Sequence, residues 1–565
     1  MPPTRLWRAT RAAVGNASSD RAPADADLVM VGAGPQALRA LADLDHELAQ
    51  SSPDATRVPP RVCVLDPATP GPGAVWDPAQ GVHLRMNVDA GIVDLTCPSV
   101  PLTFVEWLAA NGALRDPTLD RYPPRATAGR YLAWAWERLR ESPRMALASR
   151  RVRVTDVVRD GDRWSCETVT PEGPPDVPVT APRVLLATGH AGGVGMDHAR
   201  LADPDRGPAP GADVVVRGAA LTAFDVVMDL TAARGGAWIE DAARPSGRRY
   251  LPGGREPASV TLVARSGEPM LPKPAAVAAT LARAVIEQTR RWGASATPDD
   301  AWWGVLADAA VAAARAAGVR LEHAALWDVL DATTGAVAAD GRAREGAADP
   351  GERWERDVRR AEGDVDADPA WWWGRAWSAG YQDVVRSLER APRDADTWPR
   401  WRARAARLER WAFGPPLETH RRLLALREAG LLGIVPALAL IPPGAVTLDA
   451  FTRGPGVLSA PRPWDAGAEG PMPWAPWEGL LRRGDVTVRA GERGVFTAPD
   501  GACVGADGRQ TPGLYALGRP TEDVVIGHDS LQRALHGDTR RWAARIAREW
   551  DERAWSETRR ERSYG

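Results

Sequence analysis

The chain has 565 residues and a formal net charge of −2. This length allows two to four domains, and a charge so close to zero gives no electrostatic basis for binding nucleic acid or an anionic membrane. The four cysteines lie far apart without a CxxC pair, which argues against a disulfide framework or a zinc site. No apolar run is long enough to span a membrane, and the N-terminus lacks the apolar core of a secretory signal. We therefore expect a cytoplasmic protein.

The basic residues are almost all arginine, with very little lysine. Lys273 is the only lysine, arginine supplies all other positive side chains, and asparagine is scarce. Together with abundant Ala, Gly and Pro, this composition is typical of a high-GC, bacterial genome. Residues 1–26 are small, polar and rich in Arg, Ala and Pro, and we expect them to form a disordered tail.

A glycine fingerprint near the N-terminus is the strongest motif. Leu28–Val31 is a short apolar run that predicts a buried parallel strand, and Pro35–Gln50 predicts a helix. Between them Gly32 permits a tight turn, and Gly34 has no Cβ, so a pyrophosphate can approach the backbone at the helix N-terminus. The alternative is a glycine-rich turn without a ligand. The predicted phosphate-binding residues are Gly32, Ala33, Gly34, Pro35 and Gln36.

An acidic residue follows the next predicted strand. Residues 61–66 read Arg-Val-Cys-Val-Leu-Asp and predict the second parallel strand, with Asp66 at its carboxyl end. An acid at this place is the expected partner of an adenosine ribose. The alternative is that Asp66 caps a turn at the strand end.

Helices and a hairpin are predicted before the chain leaves this first domain. Phe104–Trp107 opens one helix and Gly129–Arg140 forms another. Val152–Val158 and Arg163–Val169 predict a hairpin. Residues 183–190 form an apolar strand that ends in Ala-Thr-Gly.

The chain then repeats the strand, turn and helix pattern in a degenerate form. Asp213–Gly218 predicts a strand, and Asp225–Ala233 predicts the helix after the turn. Ala220 replaces the second glycine of the fingerprint and would crowd a pyrophosphate. Arg217 is a charged residue at a strand end where an apolar residue is more usual.

A cation follows the next strand of this second half. Ser259–Ala264 predicts the strand, and Arg265 and Ser266 stand at its end. A cation in place of an acid suits a 2′-phosphate and favours NADPH over NADH. The alternative is a solvated arginine on a turn.

The last part of the chain is predicted to be helical first and irregular later. Leu281–Trp411 is rich in tryptophan, which we expect to pack between helices and in part to line a pocket. Leu417–Gly430 predicts a further helix, and Pro442–Pro476 is predicted to be mostly irregular. Leu514–Leu517 predicts a late strand that ends at Gly518.

Motifs from both halves together resemble one family. They are similar to those of the bacterial FAD/NAD(P)-binding protein family, which is related to the flavin-dependent N-hydroxylating monooxygenases. The resemblance implies an α/β fold with two Rossmann-like dinucleotide-binding domains, for FAD and NAD(P)H, and an added helical Trp-rich region. The motifs are Gly32-Ala-Gly34, Ala187-Thr-Gly189, Gly218-x-x-x-Thr222-Ala223-x-Asp225 and Leu514-Tyr-Ala-Leu-Gly518.

The resemblance also implies a division of the chain. The first part of the FAD-binding domain would comprise residues 27–200, and the NAD(P)-binding domain residues 201–280. The helical region, a possible substrate cap, would follow at 281–440. Residues 441–545 would return to the FAD-binding domain, and 546–565 would form a helix end and tail.

By this resemblance the protein would be an NADPH- and O₂-dependent monooxygenase of a small amine, amino acid or natural-product intermediate. The alternatives are a flavin reductase or dehydrogenase that does not oxygenate, and a non-catalytic flavin-binding protein. Met86 and Asn87 would contact the flavin. Asn87 and His528 are the weak catalytic candidates, although a histidine near a helix start is more often a cap or a surface residue. The remaining implied cofactor contacts are Thr188, Gly189 and Gly518 for FAD, and Gly218, Thr222, Arg265 and Ser266 for NADPH.

Overall fold

Contacts divide the chain into two compact units. The computed structural model describes residues 24–50, 58–112, 121–189, 196–264, 268–275, 300–331, 350–435, 442–451, 454–459, 472–528 and 531–564. The first unit takes its described residues from Met1–Ala79, Val88–Gly193 and Arg453–Gly565, and the second from Gln80–Asn87 and Val194–Thr452.

Both units contain strands and helices. The strands are β1 (Leu28–Val31), β2 (Arg61–Leu65), β3 (Ala146–Arg150), β4 (Arg153–Asp160), β5 (Arg163–Val169), β6 (Pro175–Ala181), β7 (Val184–Leu186), β8 (Asp213–Arg217), β9 (Ala237–Glu240), β10 (Arg248–Leu251), β11 (Ser259–Val263), β12 (Leu432–Val435), β13 (Val446–Asp449), β14 (Leu458–Ser459), β15 (Met472–Pro473), β16 (Ala502–Val504) and β17 (Gln510–Ala516). The helices are α1 (Pro35–Gln50), α2 (Phe104–Ala110), α3 (Arg125–Arg140), α4 (His198–Ala202), α5 (Leu221–Leu230), α6 (Asp300–Ala316), α7 (His323–Asp331), α8 (Pro350–Glu362), α9 (Pro369–Leu388), α10 (Trp398–Ala412), α11 (Leu417–Glu428), α12 (Trp477–Arg483) and α13 (Asp538–Tyr564).

A six-stranded sheet in the order β16-β17-β7-β1-β2-β3 organises the first unit. All neighbours from β17 to β3 are parallel, and β16 is antiparallel at one edge. All four residues of β1 are buried, as expected for a parallel strand covered on both faces. The predicted strand at β1 and the helix at α1 are confirmed at the same residues. This sheet is the first of the two predicted Rossmann-like domains.

A separate three-stranded antiparallel sheet, β4-β5-β6, completes the first unit. The predicted hairpin corresponds to β4 and β5. The third strand was not predicted, because residues 171–175 read Pro-Glu-Gly-Pro-Pro, which is typical of a turn. Trp164 on β5 is buried and donates its indole N–H to the carbonyl of Pro512 in β17, so this sheet packs against β17 of the six-stranded sheet.

The second unit contains a four-stranded, fully parallel sheet in the order β12-β11-β8-β13. The predicted second Rossmann-like domain is therefore confirmed. Its edge strand β13 lies in the segment predicted to be mostly irregular, and this short strand was not predicted. Residues 446–449 read Val-Thr-Leu-Asp and are exposed or half-buried, so their sequence does not show the apolar pattern of a buried strand. They are assigned to a strand because they pair with β8.

Two predicted helices begin about one turn earlier than expected. Helix α3 begins at Arg125, after Pro124, and α5 begins at Leu221, directly after the turn at Gly218. The segment between helix α5 and strand β11 contains the antiparallel hairpin β9-β10, which was not predicted.

Tryptophans hold the helical part of the second unit together. Trp302, Trp303, Trp377 and Trp401 come from α6, α9 and α10, are at most 5% exposed, and form a cluster with ring centroids 5.0–6.1 Å apart. Aromatic pairs at this separation add packing energy beyond the buried area. The predicted role of these tryptophans in packing is confirmed for this cluster.

A buried histidine makes the second unit sensitive to acid. His420 on α11 is fully buried beside Trp354, and neither ring nitrogen has a hydrogen-bond partner among the described residues. Burial lowers the pKa of His420 to about 3. Below its ordinary pKa the unfolded chain takes up a proton that the folded chain does not. Stability is therefore lost as the pH falls from about 6.5 towards 3, by up to about 1.4 kcal/mol per pH unit.

The His420→Leu variant is expected to lose less stability than the parent when the pH falls from about 6 to about 4. Urea unfolding at both pH values measures the difference. His323→Leu removes an exposed histidine from the same unit and serves as the control. Equal losses in the His420→Leu and parent proteins would contradict the assignment.

No described helix is long and apolar enough to cross a membrane. The four cysteines are free thiols. Within the described ranges, no three side chains from His, Cys, Asp and Glu are grouped to hold a metal ion.

Candidate functional site

The turn after β1 requires a glycine at its first position. Gly32 has a φ of +102°, and its amide donates to the Leu65 carbonyl at 2.8 Å. A Cβ at this position would overlap the Ala187 carbonyl oxygen. The turn therefore packs against the segment that follows β7, where the predicted contacts Thr188 and Gly189 lie.

The second glycine of the turn faces open space. No atom of the described chain lies within 4 Å of the position that a Cβ on Gly34 would take. Gly34 is thus not needed for protein packing, whereas Gly32 is. An open side next to the N-terminus of α1 is what a pyrophosphate requires.

Gln36 in the first turn of α1 brings two later segments to the fingerprint. A Cβ on Gly518 would lie 3.1 Å from the Gln36 Cγ, and the Gln36 Nε2 lies 3.4 Å from the His528 carbonyl oxygen. The Gln36 Oε1 is buried without a hydrogen-bond partner among the described residues. A buried acceptor without a donor is costly in a protein. Both this orphaned acceptor and the open side at Gly34 fit a bound dinucleotide.

The segment after β7 is held in place by a tryptophan. The Trp477 indole N–H donates to the Thr188 hydroxyl at 3.1 Å. Gly189 has a φ of +68° and no described atom near a potential Cβ. The structure therefore brings the predicted FAD contacts of the first unit together around the turn after β1.

Asp66 caps the fingerprint turn. Its Oδ2 accepts the Ala33 amide at 2.6 Å, and its Oδ1 accepts the Ala68 amide at 2.7 Å. Burial raises the pKa of Asp66, although both amide bonds oppose that effect. The capping geometry proposed as the alternative is thus present. Each carboxylate oxygen keeps a second lone pair, so a ribose contact stays a prediction.

We expect Asp66→Ala to weaken FAD binding at least about tenfold, because the Ala33 amide loses a charged acceptor worth about 1.5–3 kcal/mol. Titration of the apoprotein with FAD, followed by flavin fluorescence, measures the change. Asp77→Ala is the matched control, since Asp77 makes the same contact to the amide two residues on, Ala79, at an exposed site. Equal FAD affinity in both variants would contradict a role for Asp66.

His528 is not a surface residue. It is 3% exposed, its ring lies 4.3 Å from that of His536, and its Nε2 is 3.4 Å from the Asp538 Oδ2. Arg39 of α1 donates to the carbonyls of Arg533, at 2.6 Å, and His536. The two histidines thus belong to a buried charged cluster behind the fingerprint helix, which the sequence analysis missed. A catalytic role for His528 remains a prediction.

The turn after β8 is closed by contacts of its own. Gly218 has a φ of +134°, and a Cβ there would lie 3.0 Å from the Ala450 carbonyl oxygen. The Ala219 carbonyl accepts the Met270 amide and the Arg410 guanidinium, each at 3.3 Å. Thr222 is half-buried in the first turn of α5.

The unusual Arg217 has a structural explanation. Its guanidinium pairs with Asp449, which occupies the matching position at the end of the neighbouring strand β13. The predicted NADPH contacts Arg265 and Ser266 lie outside the described residues.

The predicted flavin contacts Met86 and Asn87 belong to the second unit, Met86 fully buried and Asn87 half-buried. Their segment is tied to α5 by His83, whose Nε2 lies 2.7 Å from the Oδ1 of the buried Asp229. The other oxygen of Asp229 bonds the Nδ1 of His198, also at 2.7 Å. One carboxylate therefore anchors residues 80–87 and the start of residues 194–452. Sequence spacing gave no signal for this arrangement.

The class of the first unit is given by a family model. Residues 29–191 match the model described as FAD-NAD(P)-binding. This range begins within β1 and includes the fingerprint, Asp66 and the Ala-Thr-Gly segment. Residues 29–191 of the first unit therefore resemble an FAD-NAD(P)-binding domain, which confirms the resemblance drawn from the sequence.

Two curated relatives carry more specific names. The L-aspartate N-monooxygenase (nitrosuccinate-forming) of Streptomyces davaonensis is 30% identical over 280 residues, covering 40% of this chain and 42% of that protein. The nitrosuccinic acid synthase of Aspergillus oryzae is 32% identical over 261 residues, covering 41% and 39%. The chain thus spans about two fifths of the length of these curated relatives. Among solved structures, the ornithine hydroxylase of Pseudomonas aeruginosa is 12% identical, with coverage of 93% and 99% and a TM-score of 0.45.

Proposed function

We propose that the protein is an FAD-dependent monooxygenase that uses NADPH and O₂ to oxidise the nitrogen of an amino acid. The observation that carries the proposal is the turn after β1, with its open side at Gly34 and the orphaned buried oxygen of Gln36. This turn lies within the residues matched as FAD-NAD(P)-binding. The relatives' action on L-aspartate supports an amino acid as the substrate.

The first unit would bind FAD, which supplies the redox chemistry and the activation of O₂. Backbone amides at the start of α1 would hold the pyrophosphate, and Asp66 would orient the turn and contact the ribose. The other residues of the first unit that are proposed to line the FAD site are Thr188, Gly189 and Gly518.

The second unit would bind NADPH at the turn after β8. Gly218 would form the tight turn, and Thr222 would offer a hydroxyl at the N-terminus of α5. Arg265 and Ser266 are proposed to select the 2′-phosphate.

The test is the reduction of bound flavin by each nicotinamide under anaerobic conditions. We expect NADPH to reduce the flavin faster than NADH does, and Arg265→Ala to remove that preference. NADPH consumption in air should then rise on addition of an amino acid substrate. Equal rates with both nicotinamides would contradict the assignment of Arg265.

The closed turn after β8 favours a second candidate function. Because the Ala219 carbonyl is already bonded by Met270 and Arg410, and Ala220 stands where the second glycine would be, nicotinamide binding is less well supported than FAD binding. A flavoprotein that neither nicotinamide reduces would be a sensor or interaction protein. One that is reduced but never oxygenates an amine would be a flavin reductase.

A further inference from the structure

A buried loop follows the closing strand of the first unit. Residues 518–528 begin just after β17, and all of them are buried except Arg519, which is half-buried. Both ends of the loop reach the first turn of α1. Gly518 lies against the Gln36 side chain, and the His528 carbonyl accepts the Gln36 Nε2 at 3.4 Å. The loop 518–528 therefore borders the fingerprint turn.

The order of the strands places this loop on the flavin side of the FAD site. In the sheet, β1 lies between β7 and β2, and β17 is the next strand beyond β7. A pyrophosphate at the turn after β1 and an adenosine ribose at Asp66, after β2, would take up one direction along the carboxyl edge of the sheet. The rest of FAD would extend the other way, past the ends of β7 and β17, where the loop 518–528 begins.

Asp523 in the middle of the loop has an unusual backbone conformation. Its φ is +80°, and among the described residues other than glycine only Arg390 also has a positive φ. Residues with a side chain seldom adopt this conformation, because it is sterically strained. Asp523 is 1% exposed, so contacts within the protein must hold its backbone in place.

Arg493 holds the Asp523 carboxylate with three hydrogen bonds. The Arg493 amide and Nε donate to the Oδ2, each at 2.8 Å, and the Nη2 donates to the Oδ1 at 2.7 Å. A bidentate pair between a guanidinium and a carboxylate is strong and has a fixed geometry. The pair therefore sets the position of the loop relative to the segment that carries Arg493.

The backbone next to Arg493 also packs closely on the loop. A Cβ on Gly494 would overlap the Glu522 carbonyl oxygen. The Val495 amide donates to the Pro520 carbonyl at 2.8 Å. These backbone contacts support the ion pair and leave the loop little freedom to shift.

We propose that Asp523, held by Arg493, is a positioning residue that fixes the loop 518–528 as the flavin-side wall of the FAD site. The inference rests on the proposed function, because it assigns a place to the flavin half of the cofactor. A residue that only stabilised the fold would affect both halves of the cofactor equally. A residue that positions the loop affects the flavin half alone, since the fingerprint turn and Asp66 would hold the adenosine diphosphate half.

The test compares FAD with ADP, which has the adenosine and two phosphates but no ribityl chain or flavin ring. Asp523→Gly removes the carboxylate, and glycine adopts a φ of +80° without strain, so this variant should fold. We expect its dissociation constant for FAD to rise at least about tenfold, because the charged bonds that hold the loop are lost. The constant for ADP should stay within about twofold of the parent value. Titration calorimetry of the FAD-free proteins measures both constants.

Two further variants separate positioning from stability. Asp523→Asn keeps an acceptor for the Arg493 amide and tolerates a positive φ, so it should retain most of the FAD affinity. Asp45→Ala is the matched control, since Asp45 is also buried in the first unit and accepts hydrogen bonds from Ser99 and Ser142. This control should lower the melting temperature without changing the ratio of the FAD and ADP constants.

An Asp523→Gly protein that binds FAD as tightly as the parent does would overturn the proposal. Equal losses of affinity for FAD and ADP would also overturn it, because they would show that Asp523 only stabilises the fold. A parent protein that takes up no FAD would refute the proposed function together with this inference. The expected selective loss of FAD affinity, in a protein that oxygenates no amino acid, would refute the monooxygenase assignment alone.

Discussion

The Gly34→Val variant is expected to fold and to purify without FAD. The protein around Gly34 leaves a Cβ unobstructed within 4 Å, so the substitution should change the stability of the apoprotein little. The same open side is where the pyrophosphate would approach the backbone, and a branched side chain would occupy it. The flavin absorbance of the purified variant measures the loss of FAD. Thermal unfolding of the FAD-free variant and the FAD-free parent protein measures the change in stability.

Gly32→Val provides the contrast within the same turn. Gly32 has a φ of +102°, and a Cβ there would overlap the Ala187 carbonyl oxygen, so this variant should lose the fold of the first unit together with FAD. Gly34→Ala should retain the fold and bind FAD more weakly than the parent. A Gly34→Val protein that keeps a full complement of FAD would contradict the placement of the pyrophosphate.

Asp229→Leu is expected to destabilise the second unit by about 3 kcal/mol. The substitution removes both hydrogen bonds of a buried carboxylate, and bonds to charged groups contribute about 1.5–3 kcal/mol each, partly offset by the apolar replacement. His83 and His198 would lose their shared partner, so residues 80–87 should exchange their amide hydrogens faster. Urea unfolding and hydrogen exchange followed by mass spectrometry measure these changes.

A surface histidine–carboxylate pair in the same unit serves as the control. His323 lies 2.9 Å from Asp308, but both side chains are more than half exposed, so Asp308→Leu should cost at most about 1 kcal/mol. Losses of the same size in Asp229→Leu and Asp308→Leu would show that the buried carboxylate does not anchor the two segments.

Local sequence patterns predicted the elements that form the turn after β1. Leu28–Val31 is apolar throughout and bounded by Gly32, and the helix after Pro35 keeps its apolar face, so both elements follow from neighbours in the sequence. Gly32 and Gly34 were predicted together as parts of one phosphate site. The structure separates their roles, because packing requires only Gly32.

Contacts between distant residues could not be predicted in the same way. Strand β13 has no apolar alternation, and it forms because β8 pairs with it. Arg217 looked unfavourable at a strand end until Asp449 was found beside it, more than 200 positions later. The bonds of Asp229 to His83 and His198 likewise join segments that no local motif relates.

Lys273 lies between these two cases. Its rarity was visible in the composition, but its neighbours were not, because the Gly414 carbonyl and Arg375 are brought to it by the packing of the helical region.

The most direct test of the central claim is the mass of the product formed from an amino acid. The FAD-loaded protein is incubated with NADPH, isotopically heavy O₂ and L-aspartate, and then with a panel of other amino acids and small amines. The account predicts a product that carries at least one heavy oxygen atom on the substrate nitrogen. NADPH consumption that yields only hydrogen peroxide with every compound of the panel would contradict it.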